Sequence, residues 1–230
     1  MRAILLAAGY GTRLRPLTNR MPKCLVPIKG KPLLQIWLEC LVGAGNDYFL
    51  INTHYLSSQV EEFVQSSDFS NNITLTYEPE LLGTAGTLLA NIDFFQGQDG
   101  LLIHADNYCM ADIREFMQAH HERPSDCIMT MMTFHTNDPS SSGIVELDPK
   151  GVVVNFHEKI TNPPGNIANG AIYILSAAML DELKQVKASV IDFSTEVIPQ
   201  FLGRIYAYQT TKKFLDIGTL DNYYSLTINS

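Results

Sequence analysis

Seven cations and two glycines set the chemistry of the first 38 residues. Gly9 and Gly11 follow the apolar run 3–8. Arg2 precedes that run, and Arg13, Arg15, Arg20, Lys23, Lys29 and Lys31 come after it, with no Asp or Glu before Glu39. Of the chain's 16 basic residues, the remaining 192 positions hold nine, against all 24 acidic ones. Glycines let backbone N–H groups approach phosphate oxygens, and the cations supply charge. A local cationic loop on an acidic protein therefore points to a small polyanion. The net charge of −8 argues against general nucleic-acid binding, which needs a broad basic face.

Two familiar phosphate loops do not fit. The run GYGTRL lacks the third glycine of a dinucleotide fingerprint, and about 20 residues on, where an acidic ribose binder belongs, stand Lys29 and Lys31. No GxxxxGK[ST] occurs, which removes a P-loop.

The elements that must hold this loop are legible from periodicity. Residues 2–8, apolar on both faces, read as a buried strand of a parallel sheet. Residues 32–44 show helical spacing of Leu33, Leu34, Trp37, Leu38 and Leu41, stopped by Gly43 and Gly45. Strands follow at 48–52, 73–77 and 100–105, alternating with a helix at 57–66 and a loop-to-helix segment at 82–92. This alternation predicts a doubly wound, mostly parallel α/β sheet of Rossmann-like type. Further on, helices are expected at 112–121, from the end of strand 168–175 to Lys184, at 192–201 and at 219–227. Strands are expected at 126–134 and 204–209, with a hairpin of 142–147 and 151–157. The reading is one domain over 1–230, in halves of 1–110 and 111–230, the second adding a substrate-covering lobe to the same sheet. No repeat, and so no C-terminal β-helix, follows in the sequence.

Cys24, Cys40, Cys109 and Cys127 lie far apart with no CxxC pair, so neither a zinc cluster nor a disulfide scaffold is expected. The apolar run after Met1-Arg2 is shorter than a signal peptide's and enters GYGTR, and no segment is long enough for a membrane span. A cytoplasmic, membrane-free protein is the expectation. His54, His120, His121 and His135 show no metal spacing and are read as structural, with His120-His121 ending a helix where a cation suits the dipole.

The long run LAAGYGTRLRPLT, followed by MPKCLVPIKGKPLL, resembles the signature of the sugar-1-phosphate nucleotidyltransferases. So do GTAG at 83–86, Asp106 at a strand end, HEK at 157–159, NGAIY at 169–173 and DIGT at 216–219, in family order over nearly the whole chain. The resemblance implies Mg²⁺-dependent transfer of a nucleotidyl group from an NTP to a sugar 1-phosphate, with release of pyrophosphate. It also implies that the first half, 1–110, binds a nucleotide and the second, 111–230, a sugar phosphate. In-line displacement at an α-phosphorus needs cations around the triphosphate and a positioned phosphate nucleophile, and no Ser/His/Asp relay. The resemblance places Leu6, Ala8, Gly9, Gly11, Thr12, Gly83 and Thr84 along the nucleotide. It puts Arg13 on the β/γ-phosphates, Lys23 near the α-phosphate, and Asp106 and Asp216 on the metal. Asn107, Gly143, Glu158, Lys159 and Asn169 are placed on the sugar phosphate. Two departures are His104-Ala105, where members often have Asn-Gly, and Phe214, where many carry Trp.

Glu78 and Glu80 precede GTAG, in the region that reads the base. A carboxylate accepts from guanine N1–H and N2–H together, whereas uracil and thymine offer one N–H, so GTP is favoured. The second half of the chain looks most like guanylyltransferases for mannose 1-phosphate or manno-heptose 1-phosphate. Uridylyl or thymidylyl transfer, phosphocholine cytidylyl transfer and a catalytically silent nucleotide-sugar sensor stay open, as does assembly as a homodimer.

Overall fold

The structure, a computed structural model, describes residues 1–186 and 190–227. In chain order, β1 (Arg2–Leu6) leads through single-turn segments to two short strands, β2 (Pro27–Ile28) and β3 (Lys31–Pro32). Next come α1 (Leu33–Gly43), β4 (Tyr48–Thr53), α2 (Ser57–Ser66), β5 (Ile73–Tyr77), α3 (Gly83–Ala90), β6 (Gly100–His104) and β7 (Asn107–Cys109). The rest is α4 (Ile113–His121), β8 (Met129–His135), β9 (Gly143–Leu147), β10 (Val153–Glu158), β11 (Ile167–Leu175), α5 (Ala177–Leu183), β12 (Ile205–Gln209), β13 (Phe214–Asp216) and α6 (Leu220–Thr227). No helix among the described residues is long and apolar enough to cross a membrane.

The chain forms two compact units. The first takes Met1–Leu81, Ile103–Met110 and the residues from Lys213 on. Here β1 pairs in parallel with β4, and β4 with β5, as the expected parallel α/β sheet requires. Ala3, Ile4 and Leu5 are fully buried, as a strand covered on both faces requires. The face of α1 predicted by its spacing is the one buried: Leu33, Leu34, Trp37, Leu38 and Leu41. Each such side chain contributes roughly 1.5–3 kcal/mol on burial.

The second unit takes Leu82–Leu102 and Ala111–Lys212. Its strands carry the antiparallel pairs of a mixed sheet. β8 lies antiparallel to β11 and parallel to β12, β9 pairs with β11, and β9 and β10 form the predicted hairpin. Asp112 caps α4, accepting from the Arg114 amide at 2.8 Å. The helix expected over 192–201 is instead a π turn, Phe193–Val197, followed by a 3₁₀ turn, Ile198–Phe201. Pro199 has no N–H to continue an α ladder. The strand expected from residue 126 begins at Met129, because Cys127 N–H closes a turn onto the Pro124 carbonyl at 2.9 Å.

His120 stands in the last turn of α4, as expected, but faces inward rather than serving as an exposed helix-end cation. Its side chain is fully buried, with Nδ1 2.7 Å from the Thr130 hydroxyl and Nε2 3.3 Å from Asp99 Oδ2. Asp99 also accepts from the Ala177 amide, at the start of α5. Burial lowers the His120 pKa against the pull of Asp99, with Arg123 and His121 adding to the lowering. The unfolded chain therefore takes up a proton near pH 6.5 that the folded chain refuses, and stability falls as pH drops through that range. The His120 ring holds the Asp99 carboxyl below the usual range, so that contribution is lost only at lower pH. We expect His120→Gln to cost about 1–2 kcal/mol at pH 7.5. It should also flatten the decline in urea midpoint between about pH 7.5 and 5.5. An unchanged slope would show that this ring does not set the acid sensitivity.

Candidate active site

The glycine loop leaves the carboxyl end of β1, the end of parallel strands where open α/β sheets bind ligands. Its backbone is fixed through one buried amide. Asn52, at the end of β4, accepts from the Ala7 N–H at 2.7 Å and donates to Glu78 Oε1 at 2.9 Å. Gly11 takes φ +60°, open at low cost to glycine. A Cβ there would also lie 2.9 Å from Thr18 Cγ2 and 3.1 Å from Lys23 Cβ. Thr18 closes the turn by donating its hydroxyl to the Gly11 carbonyl at 2.7 Å. Arg13 then sits in the single turn Thr12–Leu14, its side chain 68 % exposed.

Among the seven cations of the head, Lys23 is the buried one, with a side chain 8 % exposed. Its stem packs under Gly11, and its ammonium donates to Asp106 Oδ2 at 2.7 Å and lies 3.5 Å from Asp216 Oδ1. Burial opposes ionisation of Asp106, but the Lys23 ammonium outweighs it with help from His104, and the carboxyl stays below the usual carboxylate range. Arg13 reaches Asp216 Oδ2 at 4.0 Å.

A three-residue ribbon brings the two aspartates together. β7 and β13 pair antiparallel with Asp216 opposite Asn107, the neighbour of Asp106. The Met110 amide donates to the Lys213 carbonyl at 3.0 Å, and Trp37 Nε1 donates to the Asn107 carbonyl at 2.9 Å. The Ala105 amide donates to the Leu6 carbonyl at 3.1 Å, tying the ribbon to β1. Asn222, on α6, donates to the Asp216 carbonyl at 2.8 Å, and Tyr223 donates its hydroxyl to the Pro27 carbonyl at 3.0 Å. Gly218 leaves room for both charges, since a Cβ there would lie 2.9 Å from Asp216 Oδ2 and 3.1 Å from an Arg13 nitrogen.

Two carboxylates within 4 Å of one ammonium nitrogen form a converging pair of hard oxygen donors, a set that suits Mg²⁺ sharing phosphate oxygens. No cluster of three or more His, Cys, Asp or Glu able to hold a metal occurs among the described residues, so the remaining ligands would come from substrate and water. Burial pushes the neighbouring Cys24 thiol up to about 12, which leaves it an inert core group.

The two glutamates proposed to read the base part company. Glu78 is buried at 3 % exposure and held to Asn52, whereas Glu80 is exposed. The Glu78 carbonyl accepts from His54 Nδ1 at 2.7 Å, and His54 Nε2 lies 2.8 Å from the Tyr10 hydroxyl. Sequence reading missed Asn52 and His54 as supports of the loop. The available signal was a polar residue ending the apolar strand YFLIN, with a histidine two positions on.

The second unit holds Gly83 and Thr84 as well as most of the predicted sugar-phosphate set. The start of α3 is fixed internally. The Ala85 and Gly86 amides donate to the Ile191 carbonyl at 2.9 and 3.4 Å, and Thr84 Oγ1 accepts from the Phe193 amide at 2.8 Å. Register places Gly143 directly opposite Glu158, and Ile144 opposite Ala168, the neighbour of Asn169. A Cβ on Gly143 would stand 2.7 Å from Glu158 Oε2. Lys159, at φ +50°, pairs with Glu158 at 3.0 Å and is exposed. Asn169 sits where β11 bulges, accepting from the Ala171 amide at 2.9 Å and donating to Tyr173 Oη at 2.7 Å. Asn107 belongs to the first unit, where it is buried next in sequence to Asp106.

The chain is similar to several known nucleotidyltransferases. The mannose-1-phosphate guanylyltransferase catalytic subunit beta of Drosophila melanogaster is 33 % identical over 225 residues, covering 94 % of this chain and 59 % of the relative. The mannose-1-phosphate guanylyltransferase of Mycobacterium tuberculosis is 28 % identical over 226 residues, covering 96 % and 62 %. The chain thus spans less than two thirds of the length of these relatives. The crystal structure of HddC from Yersinia pseudotuberculosis complexed with GMP-PN superposes with a TM-score of 0.81 at 26 % identity, covering 98 % of this chain and 97 % of that one. A putative glucose-1-phosphate thymidylyltransferase from Bacillus anthracis shares the fold, with a TM-score of 0.88 at 21 % identity, covering 98 % and 93 %. The profile of the family described as nucleotidyl transferase matches residues 2–229, and the chain belongs to that family.

Proposed function

We propose that the protein transfers a guanylyl group from GTP to a mannose-type sugar 1-phosphate (mannose 1-phosphate or a manno-heptose 1-phosphate), releasing pyrophosphate. The observation that carries the reading is the convergence of Lys23 with Asp106 and Asp216 beside the cationic glycine loop. Gly9, Gly11 and Thr12 offer the nucleotide a close backbone approach, with Leu6 and Ala8 at the end of the strand beneath. Arg13 takes the β/γ-phosphates and stabilises the charge of the departing pyrophosphate. Lys23 neutralises the α-phosphate as the sugar phosphate oxygen attacks. Asp106 and Asp216 would hold Mg²⁺, which when bound withdraws charge from the phosphate oxygens. Glu158 and Asn169 are assigned to sugar hydroxyls, Gly143 to close approach, and Lys159 to the sugar phosphate. Asn107 is assigned to the same substrate from beside the metal pair.

Guanine is favoured by the exposed carboxylate of Glu80 and by the names of the relatives. The compartment proposed is the cytoplasm, where widely spaced cysteines stay reduced. GTP with Mg²⁺ is expected to raise the melting temperature at concentrations at least about tenfold below those at which UTP or dTTP does so. Equal stabilisation by all three would remove the guanine assignment.

A further inference from the structure

Lys23 stands where two roles compete. The proposed chemistry needs its ammonium on the α-phosphate, yet that ammonium holds both carboxylates of the metal pair, at 2.7 and 3.5 Å. The stem is not free to wander, being buried under Gly11 and fixed in the turn Lys23–Leu25, with the Val26 amide on the Lys23 carbonyl at 3.2 Å. The carboxylates are the more open partners, 40 % and 51 % exposed. An ammonium on Asp106 Oδ2 and Asp216 Oδ1 competes with a divalent cation for the lone pairs and charge of the pair, and the two cations repel. Arg13, at 4.0 Å from Asp216 and largely exposed, is too distant to replace it.

We infer that Lys23 is the resident counter-ion of the metal's carboxylate pair. Without nucleotide it offsets the repulsion between Asp106 and Asp216 and keeps a divalent cation out. A nucleotide phosphate takes over the ammonium's charge where it stands, and the more open carboxylates are released to the cation. Metal and nucleotide then strengthen each other's binding through one side chain, and the coupling is reciprocal. The inference rests on the assignment of Asp106 and Asp216 as metal ligands.

The test is Mn²⁺ binding to the nucleotide-free protein, read from the electron paramagnetic resonance of free Mn²⁺, with circular dichroism to confirm folding. Lys23→Met and Lys23→Gln are each expected to bind Mn²⁺ about tenfold or more tightly than the wild type, although both lose turnover. Lys23→Arg, which keeps the charge, should bind close to the wild type. Adding Asp106→Asn to Lys23→Met should abolish the gain. If the Met and Gln variants bind no more tightly than the wild type, while Asp106→Asn weakens binding, the counter-ion role is wrong and the metal pair stands. If Asp106→Asn leaves Mn²⁺ binding unchanged in every background, the metal assignment falls and the inference with it.

Discussion

Asp106→Asn is expected to lower kcat for pyrophosphate release by roughly 10²–10³-fold, with no recovery at higher nucleotide concentration. The substitution keeps the shape of the side chain and removes one charge from the pair that Lys23 bridges. The backbone around it is held by other groups, through the Ala105 amide on Leu6 and the Trp37 indole on the Asn107 carbonyl. The buried Lys23 ammonium keeps Asp216 as its counter-charge and the Asn oxygen still accepts from it, so the loss of stability is about 1–2 kcal/mol. A thermal melt within a few degrees of wild type should therefore accompany the loss of rate. That split between rate and stability distinguishes a group that acts on the reacting phosphates from one that merely supports the fold. A variant that keeps kcat within about tenfold would show that the carboxylate pair does not stabilise the transition state.

Arg13→Ala is expected to cost roughly 10³-fold in kcat/KM while leaving the melting temperature unchanged. The side chain is 68 % exposed, and its contact with Asp216 is long, at 4.0 Å, so the folded state draws little from it. A guanidinium offered at the mouth of a phosphate loop gains most when the leaving group accumulates charge, since its planar fork matches phosphate oxygens. Arg13→Lys should retain part of the activity, because the charge remains and the fork is lost. Full activity in Arg13→Ala would assign the leaving-group charge to other cations of the loop.

What could be read in advance was what local sequence controls. The spacing Gly9-Gly11-Arg13 fixes a turn whose geometry depends on residues within a dozen positions, and Gly11, Thr18 and Lys23 indeed pack on one another. The face of α1 followed from its 3.6-residue period. The β7–β13 ribbon was not legible. Its strands are three residues long, too short for any period, and they meet across about a hundred positions of chain. The two aspartates could be named by resemblance, but only this pairing explains why Asp216 lies beside Asp106. Glu78 and Glu80 were likewise indistinguishable as a pair of carboxylates. Their separation depends on Asn52, which turns one inward and leaves the other exposed. His120 looked like a helix-end cation because its contact with Thr130 lies across a loop whose path no periodicity specifies.

The most direct test of the account is pyrophosphate release measured over a grid of GTP, ATP, UTP, dTTP and CTP against hexose and heptose 1-phosphates and phosphocholine, with Mg²⁺ and with the coupled product identified by mass. Turnover is expected with GTP and a mannose-configured sugar 1-phosphate, giving the matching GDP-sugar, and little with any other pair. Turnover confined to UTP or dTTP would contradict the guanine assignment, and no turnover with any pair would contradict the proposed enzyme activity itself.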